Sequence, residues 1–569
     1  MTILSINNLC LSFKNDQGLH QALKPISFEI KRGKVCGIVG ESGSGKSITS
    51  LAIMGLLSKN AIIDGEIIYH SKDNSLNLLS LTDTELRSYR GKKFAMIFQE
   101  PMTSLNPVMK CGEQVLEAII NNQTVTNEVA KNKVIELFNE VQLPRPEKIF
   151  DAYPHEISGG QKQRVMIAMA LSSNPELLIA DEPTTALDVT VQKNIIELLK
   201  KIKTEREMSM IFISHDLGLV AEIADEVIVM NKGELVEHDT ADEIFKHPKK
   251  NYTKGLIACK PNIHQQMKRL VTINDFVEEH VNVKEVLANQ KLEDSEVLKR
   301  RNSLIQAETI LEVKNLSKYY NINTGLFTIS KDKVYAVNNV NFKLFKGETL
   351  GLVGESGCGK TTLGRCLLRL IEPDQGEVIF KSENILKYNS KQLRSIRSKI
   401  QIIFQDPYSS LNPKFTIGQT LIEPMMIHKI GKDDKERKKI AIETLVNVGL
   451  LPEHFNRYPH EFSGGQRQRI CIARTLVLQP ELIICDESVS ALDVSVQAQV
   501  LNLLADLRDK FSLTYLFISH DLSVIKHISD RIMVMQKGKI VEMGYPDEVY
   551  KNPQQEYTKE LIASIPEWN

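Results

Sequence analysis

The sequence predicts an α/β fold that occurs twice along the chain. Residues 40–47 (GESGSGKS) and 354–361 (GESGCGKT) share one pattern of a glycine, four residues, Gly-Lys and a hydroxyl residue. The stretch LSINNLCLSF at residues 4–13 aligns with LEVKNLSKYY at residues 311–320. In both halves short apolar runs alternate with helical stretches, which is typical of a mostly parallel sheet covered on both faces.

The spacing between matching motifs defines the two copies. It is 314 residues between Gly40 and Gly354, 306 between Gln99 and Gln405, and 305 between Ser158 and Ser463. So small a drift indicates insertions and deletions in loops and not a different fold. We predict a first domain at residues 1–260, a linker at residues 261–307 and a second domain at residues 308–569.

The linker is rich in balanced charges. Only short pieces of it, such as residues 283–287, have a helical pattern. As a flexible chain it would span roughly 35–40 Å, enough to let the two copies face each other.

Composition narrows the class of protein. Lys+Arg and Asp+Glu are equal at 71 each among 569 residues, so no overall charge favours nucleic acid or an anionic membrane. The eight cysteines include no Cys-x-x-Cys pair, which suits a reducing compartment and argues against structural zinc. No apolar run is long enough to span a bilayer, and the N-terminus has the pattern of a strand and not of a signal peptide. We therefore expect a soluble cytosolic protein without a transmembrane segment.

Local patterns predict where the strands and helices lie. Apolar runs at residues 35–39, 177–180, 210–213, 227–230 and 350–353 predict strands, and residues 195–202 have helical period. The segments before each glycine-rich motif have β-rich, antiparallel character. The inserts at residues 99–158 and 405–463 lack strand-like runs, so we expect them to be mostly helical.

The glycine-rich motifs predict phosphate-binding loops. Glycines let the backbone curl so that successive N–H groups point at a phosphate, and the helix beginning at Lys46 or Lys360 adds the positive end of its dipole. The lysine would contact the outer phosphates, and Ser47 or Thr361 would offer a hydroxyl to Mg²⁺. The alternative is a turn that binds nothing. Two copies in a strand–loop–helix context argue against it.

Two acidic pairs follow apolar runs. The runs LLIADE and LIICDE end in Asp181-Glu182 and Asp486-Glu487. An aspartate at the end of a strand near a phosphate loop can hold Mg²⁺, and the adjacent glutamate can polarise a water molecule. The alternative is that both acids merely end a strand at the surface.

A second anion-binding pattern occurs once in each copy. Residues 158–161 and 463–466 read Ser-Gly-Gly-Gln before a helical run. A hydroxyl, N–H groups and a helix dipole together can bind an anion, although such a serine alone is more simply a helix cap. Each copy then has two phosphate sites for one nucleotide, which suggests sharing between copies.

The ordered set of motifs resembles the nucleotide-binding domains of ABC transporters. It comprises phosphate loop, Phe-Gln, Ser-Gly-Gly-Gln, Asp-Glu, Ala-Leu-Asp and Ser-His-Asp, twice over. The resemblance implies two tandem P-loop NTPase domains. Each would have a mostly parallel core sheet, an antiparallel β subdomain and a helical subdomain. It also implies ATP and Mg²⁺, bound in a head-to-tail sandwich within one chain. Residues 40–47 would then pair with 463–466, and residues 354–361 with 158–161.

The resemblance also assigns roles to single residues. Glu182 and Glu487 would be general bases, His215 and His520 would contact the γ-phosphate, and Gln99 and Gln405 would reach Mg²⁺ or water and sense the permease. The metal ligands would be Ser47, Gln99, Asp181, Thr361, Gln405 and Asp486. Phe13 and Tyr320 would stack on adenine, with Tyr319 as a substitute for Tyr320 and core packing as the alternative for all three.

The remaining expected contacts to the nucleotide form two matching groups. The first copy contributes Gly40, Glu41, Ser42, Gly43, Ser44, Gly45, Lys46, Ser47, Ser158, Gly159, Gly160, Gln161 and Asp188. The second contributes Gly354, Glu355, Ser356, Gly357, Cys358, Gly359, Lys360, Thr361, Thr362, Ser463, Gly464, Gly465, Gln466 and Asp493. Asp188 and Asp493 would belong to loops that cross between the copies.

Further segments resemble the oligopeptide/dipeptide/nickel importer subfamily, and the fused form resembles the Yej-type ATPase of oligopeptide and microcin C importers. These segments are residues 100–107, 153–156 and 251–253 with their counterparts 406–413, 458–461 and 556–558. The resemblance implies an ATPase subunit that powers import of peptides or peptide-like compounds. Its partners would be permease subunits and, indirectly, a substrate-binding protein. It would be peripheral on the cytoplasmic side of the cytoplasmic membrane and would not bind nucleic acid.

Three alternatives stay open. One is a soluble twin ATPase acting on ribosomes or DNA, against which the balanced linker and the absent cysteine pairs count. Another is an importer ATPase for glutathione or metal chelates. The third is an exporter ATPase.

Overall fold

The computed structural model describes residues 1–15, 18–71, 74–99, 104–185, 187–261, 266–276, 283–323 and 331–565. The described chain forms two compact units. The first unit contains residues 1–257 and 273–276, and the second contains residues 258–272 and 283–565. Residues 100–103 of the predicted importer-like segment and Ala186 of the Ala-Leu-Asp motif lie outside the described residues.

A six-stranded sheet is the core of the first unit. All neighbouring strands in it are parallel except the first two. The order is Glu234–Thr240, Glu226–Asn231, Val35–Val39, Ser209–Ile213, Leu177–Asp181 and Phe94–Ile97. The three central strands are buried along their whole length, as their Val-, Ile- and Leu-rich sequences require.

The second unit has a sheet of the same kind. Its only antiparallel pair among the described strands is again at one edge. The order is Ile400–Ile403, Leu482–Asp486, Thr514–Ile518, Thr349–Val353, Arg531–Gln536 and Lys539–Gly544. The predicted strands therefore form, and they form in the predicted parallel arrangement.

Each unit also has a four-stranded antiparallel sheet, which confirms the β-rich prediction for the early segments. In the first unit the strands are, in spatial order, Gly18–Lys31, Thr2–Asn15, Ala61–His70 and Ser75–Asn77. In the second unit they are Lys331–Phe345, Thr309–Asn323, Gln375–Phe380 and Glu383–Asn384.

The helices cover the parallel sheets and fill the inserts. The α-helices before residue 260 are Lys46–Met54, Asp83–Tyr89, Cys111–Asn122, Asn127–Glu140, Pro146–Asp151, Gly159–Leu171, Val189–Glu205, Leu217–Ile223, Ala241–Lys246 and Asn251–Ala258. Those after residue 305 are Lys360–Leu367, Ser390–Ile396, Pro407–Ser410, Ile417–His428, Asp434–Asn447, Gly464–Leu476, Val494–Phe511, Leu522–Ile528, Pro546–Lys551 and Glu556–Ala563. Short 3₁₀ helices occur at Leu78–Ser80, Pro154–Glu156, Ile273–Phe276, Ile385–Lys387, Pro452–Asn456 and Pro459–Glu461.

The first insert is helical, as predicted. Between the strand Phe94–Ile97 and the helix Gly159–Leu171, its described residues form three α-helices whose apolar faces share a core. Val115, Val134 and Phe138 are fully buried in that core. A helix stripe of this kind stabilises the insert by removing apolar surface from water.

The linker is more ordered than a flexible chain. The helical pattern at residues 283–287 is confirmed by the helix Val283–Asn289, and a second helix spans Asp294–Ile305. Leu270 joins the second unit through both backbone groups: its N–H donates to Asn502 Oδ1 at 2.9 Å, and its carbonyl accepts from Asn502 Nδ2 at 2.8 Å. Arg300 pairs with Asp530 and donates to the Gly347 carbonyl. Polar residues thus bind this part of the linker, which an apolar pattern does not reveal.

We expect Asn502→Ala to loosen the linker. Asn502 is 3% exposed, and its loss leaves both backbone groups of Leu270 without these bonds in a buried place, at a cost of about 1–3 kcal/mol. The measurement is faster amide hydrogen exchange at Leu270 together with a lower unfolding midpoint.

The matched control is Arg269→Ala, a change at the residue that precedes Leu270. The Arg269–Asp506 pair is exposed at both ends, 55% and 56%, and such pairs contribute little. Equal effects of the two substitutions would contradict the assignment of the linker contact to Asn502.

Candidate functional site

The two glycine-rich motifs form tight loops at the carboxyl ends of central strands. The first loop (residues 40–47) follows Val35–Val39 and leads into the helix Lys46–Met54. Gly40, Gly43 and Gly45 have φ values of 149°, 77° and 104°, which favour glycine. A Cβ on Gly40 would lie 2.1 Å from the Met230 carbonyl oxygen, so the close approach of that strand also requires glycine.

The second loop (residues 354–361) repeats this geometry. It follows Thr349–Val353 and leads into Lys360–Leu367, and Gly354, Gly357 and Gly359 have φ values of 157°, 77° and 113°. A Cβ on Gly354 would lie 2.2 Å from the Met535 carbonyl oxygen. In both loops the second and third glycines hold the turn that presents backbone N–H groups to an anion.

The loop lysines are buried and folded back onto their own loops. Lys46 is 6% exposed, and its Nζ donates to the carbonyls of Gly40 and Glu41, both at 2.8 Å. Lys360 is 4% exposed and donates to Gly354 and Glu355 at 2.6 and 2.9 Å. A compact ammonium held in this way is available for an anion placed in the loop.

The hydroxyl that ends each loop contacts the strand-end aspartate. Ser47 Oγ donates to Asp181 Oδ1 at 3.1 Å, and Thr361 Oγ1 donates to Asp486 Oδ1 at 3.0 Å. Burial raises the pKa of Asp181 to about 6, against the opposing effect of the Ser47 hydrogen bond, and it also raises the pKa of Asp486. An adjacent hydroxyl and carboxylate are the oxygen ligands that Mg²⁺ prefers, so this pair fits the metal.

Three predicted catalytic residues meet at one carboxylate oxygen in each copy. Glu182 Oε2 accepts from Gln99 Nε2 at 3.0 Å and lies 3.1 Å from His215 Nδ1. Glu487 Oε2 accepts from Gln405 Nε2 at 2.8 Å and lies 3.4 Å from His520 Nδ1. The structure therefore joins each glutamate to a glutamine that lies more than 80 positions before it in the sequence.

Charge pairing decides the ionisation of this cluster. Burial acts to raise the pKa of Glu182, but the hydrogen bond and charge of His215, with help from Thr185 and Lys46, lower that pKa to about 2. Burial acts to lower the pKa of His215, and pairing with Glu182 raises it overall. The pKa of Glu487 is lowered and that of His520 raised in the same way. In both clusters the pairing thus favours an ionised carboxylate beside a protonated imidazole.

The glutamates also have unusual backbones. Glu182 and Glu487 both have φ of 48°, a left-handed conformation that costs a non-glycine residue free energy. Their N–H groups donate to Ile213 and Ile518, which continue the parallel sheet. This left-handed conformation occurs at the glutamate of both copies, and no pattern in the sequence indicates it.

The copies differ beside the glutamate. Thr185 Oγ1 donates to the carboxylate of Glu182 at 2.9 Å, whereas Ser490 Oγ donates to the backbone carbonyl of Glu487 at 2.9 Å. Ser488, which stands where the first copy has Pro183, is 3% exposed and does not touch the carboxylates through any described hydrogen bond. The first glutamate therefore has a hydroxyl contact that the second lacks among the described contacts.

The Ser-Gly-Gly-Gln motifs cap helices. Ser158 Oγ accepts from Gln161 N–H at 3.3 Å, and Gln161 Oε1 accepts from Ser158 N–H at 2.9 Å. Ser463 and Gln466 form the same reciprocal box at 3.4 and 3.1 Å. Both capping serines are exposed.

The aspartates of the Ala-Leu-Asp motifs are caps as well. Asp188 Oδ1 accepts from Val191 N–H at 3.0 Å at the start of Val189–Glu205, and Asp493 Oδ1 accepts from Val496 N–H at 2.9 Å. The crossing of these loops between the copies stays a prediction.

The predicted adenine-stacking aromatics have different surroundings. Phe13 is half-buried and packs against the core shared by the two sheets of the first unit. Tyr320 is 46% exposed with Lys318 Nζ 5.6 Å from its ring centre, and Tyr319 packs near Tyr335 under Lys333. Core packing remains an explanation for Phe13 and does not apply to Tyr320.

A groove of about 500 Å³ opens beside the first loop. It is lined by Ser47, Gln99 and Asp181 together with apolar side chains of the strand Phe94–Ile97 and the helix Gly159–Leu171, among them Met96, Met166 and Met169. Predicted metal ligands thus border the space next to the helical insert.

One contact of the loops was missed from the sequence. The hydroxyl of Tyr252 lies 3.4 Å from Glu41 N, and that of Tyr557 lies 3.0 Å from Glu355 N. The sequence signal for this contact is that both tyrosines occupy the same position of the repeat, 305 residues apart. They lie in the segments that carry the resemblance to the importer subfamily.

Comparison with known proteins gives two family matches. The pattern of the ABC transporter family matches residues 23–185 and 337–490. The pattern described as "Oligopeptide/dipeptide transporter, C-terminal region" matches residues 236–285 and 541–569.

Curated relatives match along the whole chain. Glutathione import ATP-binding protein GsiA of Salmonella choleraesuis (strain SC-B67) is 46% identical over 99% of this chain and 89% of its own length. The protein of the same name from Escherichia coli (strain K12) has the same identity and coverage. One similar solved structure is the dimeric structure of MJ0796, a bacterial ABC transporter cassette, which is 29% identical to this chain. The match covers 42% of this chain and 99% of the cassette, with a TM-score of 0.38.

Among the described residues, no helix has the length and apolar character needed to cross a membrane. Two copies of the ABC transporter pattern and nearly full-length similarity to importer ATP-binding proteins agree with two complete sets of loop, carboxylate and histidine residues. The chain therefore belongs to the ABC transporter family, as an ATP-binding and ATP-hydrolysing protein of the importer type.

Proposed function

We propose that this ABC importer ATPase powers the uptake of peptides or peptide-like compounds through a separate permease. The observation that carries the substrate class is the match to the oligopeptide/dipeptide transporter C-terminal region in both copies. The relatives named for glutathione import make that tripeptide the narrower candidate. A substrate-binding protein would deliver the compound, and the chain would bind the permease at the cytoplasmic face of the membrane.

ATP hydrolysis would use the Glu182 cluster and its counterpart at Glu487. A water oxygen attacks the γ-phosphorus, the bond to the β-phosphate oxygen breaks, and the proton of the water passes to the glutamate. With a pKa near 2 while paired to His215, Glu182 is a poor proton acceptor. If His215 turns to the γ-phosphate when ATP binds, the glutamate loses its partner and becomes a stronger base. Gln99 would keep the water in line.

Mg²⁺ would be held by Ser47 and Asp181 with Gln99 in one site, and by Thr361 and Asp486 with Gln405 in the other. The metal would supply positive charge to the β- and γ-phosphate oxygens. Lys46 and Lys360 would exchange their loop carbonyls for phosphate oxygens. The hydrogen bonds from Ser47 and Thr361 to the two aspartates support these ligand sets.

We further propose that each ATP is shared between copies. The helix starts at the exposed residues Ser463 and Ser158 would contact the triphosphates bound by residues 40–47 and 354–361 of the opposite copy. Asp188 and Asp493 would lie in the crossing loops, and Phe13 and Tyr320 would stack on adenine. Binding of ATP would close the copies, and hydrolysis would reopen them.

The double change Glu182→Gln and Glu487→Gln should leave ATP binding intact and abolish turnover. Glutamine keeps the shape of the side chain but does not accept the proton. In a deletion strain, the wild-type gene should restore uptake of labelled peptides and glutathione, and the double variant should not. Turnover that survives the substitution would refute the general-base role. Uptake of neither compound with the wild type would refute the substrate class.

The Asp181→Asn variant should be more stable than the wild type without nucleotide at pH 7.5. Because the folded pKa is about 6 and the usual value 3.8, folding binds a proton between these values, and stability falls as pH rises through this window. Above pH 6 the full penalty is present, about 3 kcal/mol. Asparagine removes the charge and still accepts from Ser47.

Thermal unfolding should show a gain at pH 7.5 that vanishes near pH 4, and stabilisation by Mg²⁺ with ATP should be weakened in the variant. A loss of stability at pH 7.5 would mean that the carboxylate serves the fold and not a cation.

Ser463→Ala should weaken nucleotide trapping at the site that contains Lys46. Trapping of a photoreactive ATP analogue in the double glutamine background, followed by cleavage of the linker, locates the label. Thr416→Ala is the matched control, since it removes another helix cap of the second copy with the same geometry. Loss of label at Lys360 in place of Lys46 would refute the shared sites.

A further inference from the structure

A tyrosine near the end of each copy contacts the phosphate loop of the same copy. Tyr252 lies in the helix Asn251–Ala258, and its hydroxyl oxygen accepts from Glu41 N–H at 3.4 Å. Tyr557 lies in the helix Glu556–Ala563 and accepts from Glu355 N–H at 3.0 Å. The two tyrosines occupy matching positions of the repeat, in the segments NYTKGLIA and EYTKELIA, so the contact is a shared feature of both copies.

The contact lies at the second residue of the loop, opposite the lysine. The carbonyl of Glu41 accepts from Lys46 Nζ, so the lysine and the tyrosine hold this residue through its two backbone groups. The same holds for Glu355 between Lys360 and Tyr557. If the lysine turned to a phosphate, its bond to the carbonyl would be lost, and the tyrosine would still hold the N–H of the same residue.

The hydroxyl in the first copy also reaches the neighbouring strand. Tyr252 donates to the Met230 carbonyl at 3.5 Å, the same carbonyl that approaches Gly40 so closely that a Cβ would not fit. The hydroxyl therefore links the start of the loop to the end of the strand Glu226–Asn231. The Glu41 N–H is thereby bonded to the tyrosine hydroxyl.

The helix that carries the tyrosine is bonded to the antiparallel edge strand of the six-stranded sheet, Glu234–Thr240 in the first copy. Glu237 accepts from the N–H groups of Lys249 and Lys250 at 2.8 and 3.2 Å, and from Thr253 Oγ1 at 2.5 Å. In the second copy Glu542 accepts from Gln554 and Gln555 at 2.9 and 3.2 Å. A carboxylate with several donors holds the start of the helix, so the tyrosine next to it has a defined position.

We propose that Tyr252 and Tyr557 are positioning residues for the two ATP sites. Each holds the second peptide of its phosphate loop, so that the loop is formed before ATP arrives and stays formed when the lysine moves. The inference rests on the proposed nucleotide function. It assigns to the C-terminal region of each copy, which the family patterns separate from the ATPase core, a part in nucleotide affinity.

The test is the double variant Tyr252→Phe and Tyr557→Phe in the full chain. Each substitution removes only the hydroxyl. We expect the Kd for ATP, from titration with a fluorescent nucleotide, and the KM for ATP to rise roughly threefold to tenfold, as the loss of one hydrogen bond per site implies. The kcat should change much less, because neither hydroxyl touches the reacting atoms.

The matched control is Tyr69→Phe with Tyr388→Phe. Tyr69, in the strand Ala61–His70, donates to Glu176, and Tyr388, just after the 3₁₀ helix Ile385–Lys387, donates to Glu383. Neither hydroxyl has a described hydrogen bond to a phosphate loop. The control pair should lower the unfolding temperature without changing Kd or KM. If the loop variants do the same, the tyrosines are structural and the inference is overturned.

Single variants decide whether each tyrosine serves its own loop. In a Lys360→Ala background, where binding reports on the first loop, Tyr252→Phe should weaken ATP binding and Tyr557→Phe should not. The Lys46→Ala background should give the reverse. If the wild type binds ATP and neither tyrosine substitution changes the affinity, this inference alone is overturned. If the wild type does not bind ATP, the proposed function is overturned as well.

Discussion

The register of the parallel sheet is the constraint on which both sites depend. Ile213 pairs with Asp181, and Ile38 pairs with Ile213, so three strands end at the same edge. The residues that follow these ends are the phosphate loop, the acidic pair and the histidine. A shift of one residue in any strand would turn these side chains to the other face of the sheet. The second unit has the same register at Leu352, Ile518 and Asp486.

Two neighbouring buried carboxylates at this edge have pKa values shifted in opposite directions. Asp181 accepts from the Ser47 hydroxyl, and burial raises its pKa to about 6, whereas pairing with His215 outweighs burial at Glu182 and lowers the pKa of that residue to about 2. This difference in pKa supports the proposal that Asp181 binds the metal and Glu182 accepts the proton.

The same contacts recur at matching positions of the two copies. The loop lysine bonds, the serine–glutamine caps and the tyrosine contacts occur in both units with similar distances. The hydroxyl beside the glutamate differs, since Thr185 touches the carboxylate and Ser490 the backbone. The shared contacts serve the chemistry that both sites have in common, and the hydroxyl contact beside the glutamate is a difference between the two sites.

The sequence by itself determined the α/β class, the duplication, the order of the motifs and the family. These follow from local patterns, because buried parallel strands are continuous apolar runs and a phosphate loop needs glycines at fixed positions. Only the tertiary structure decided that Gln99 and His215 meet at one oxygen of Glu182, that the glutamate backbone is left-handed, and that Tyr252 reaches Glu41. Each of these depends on residues brought together from distant parts of the chain by the sheet, and no local pattern encodes a contact of that kind.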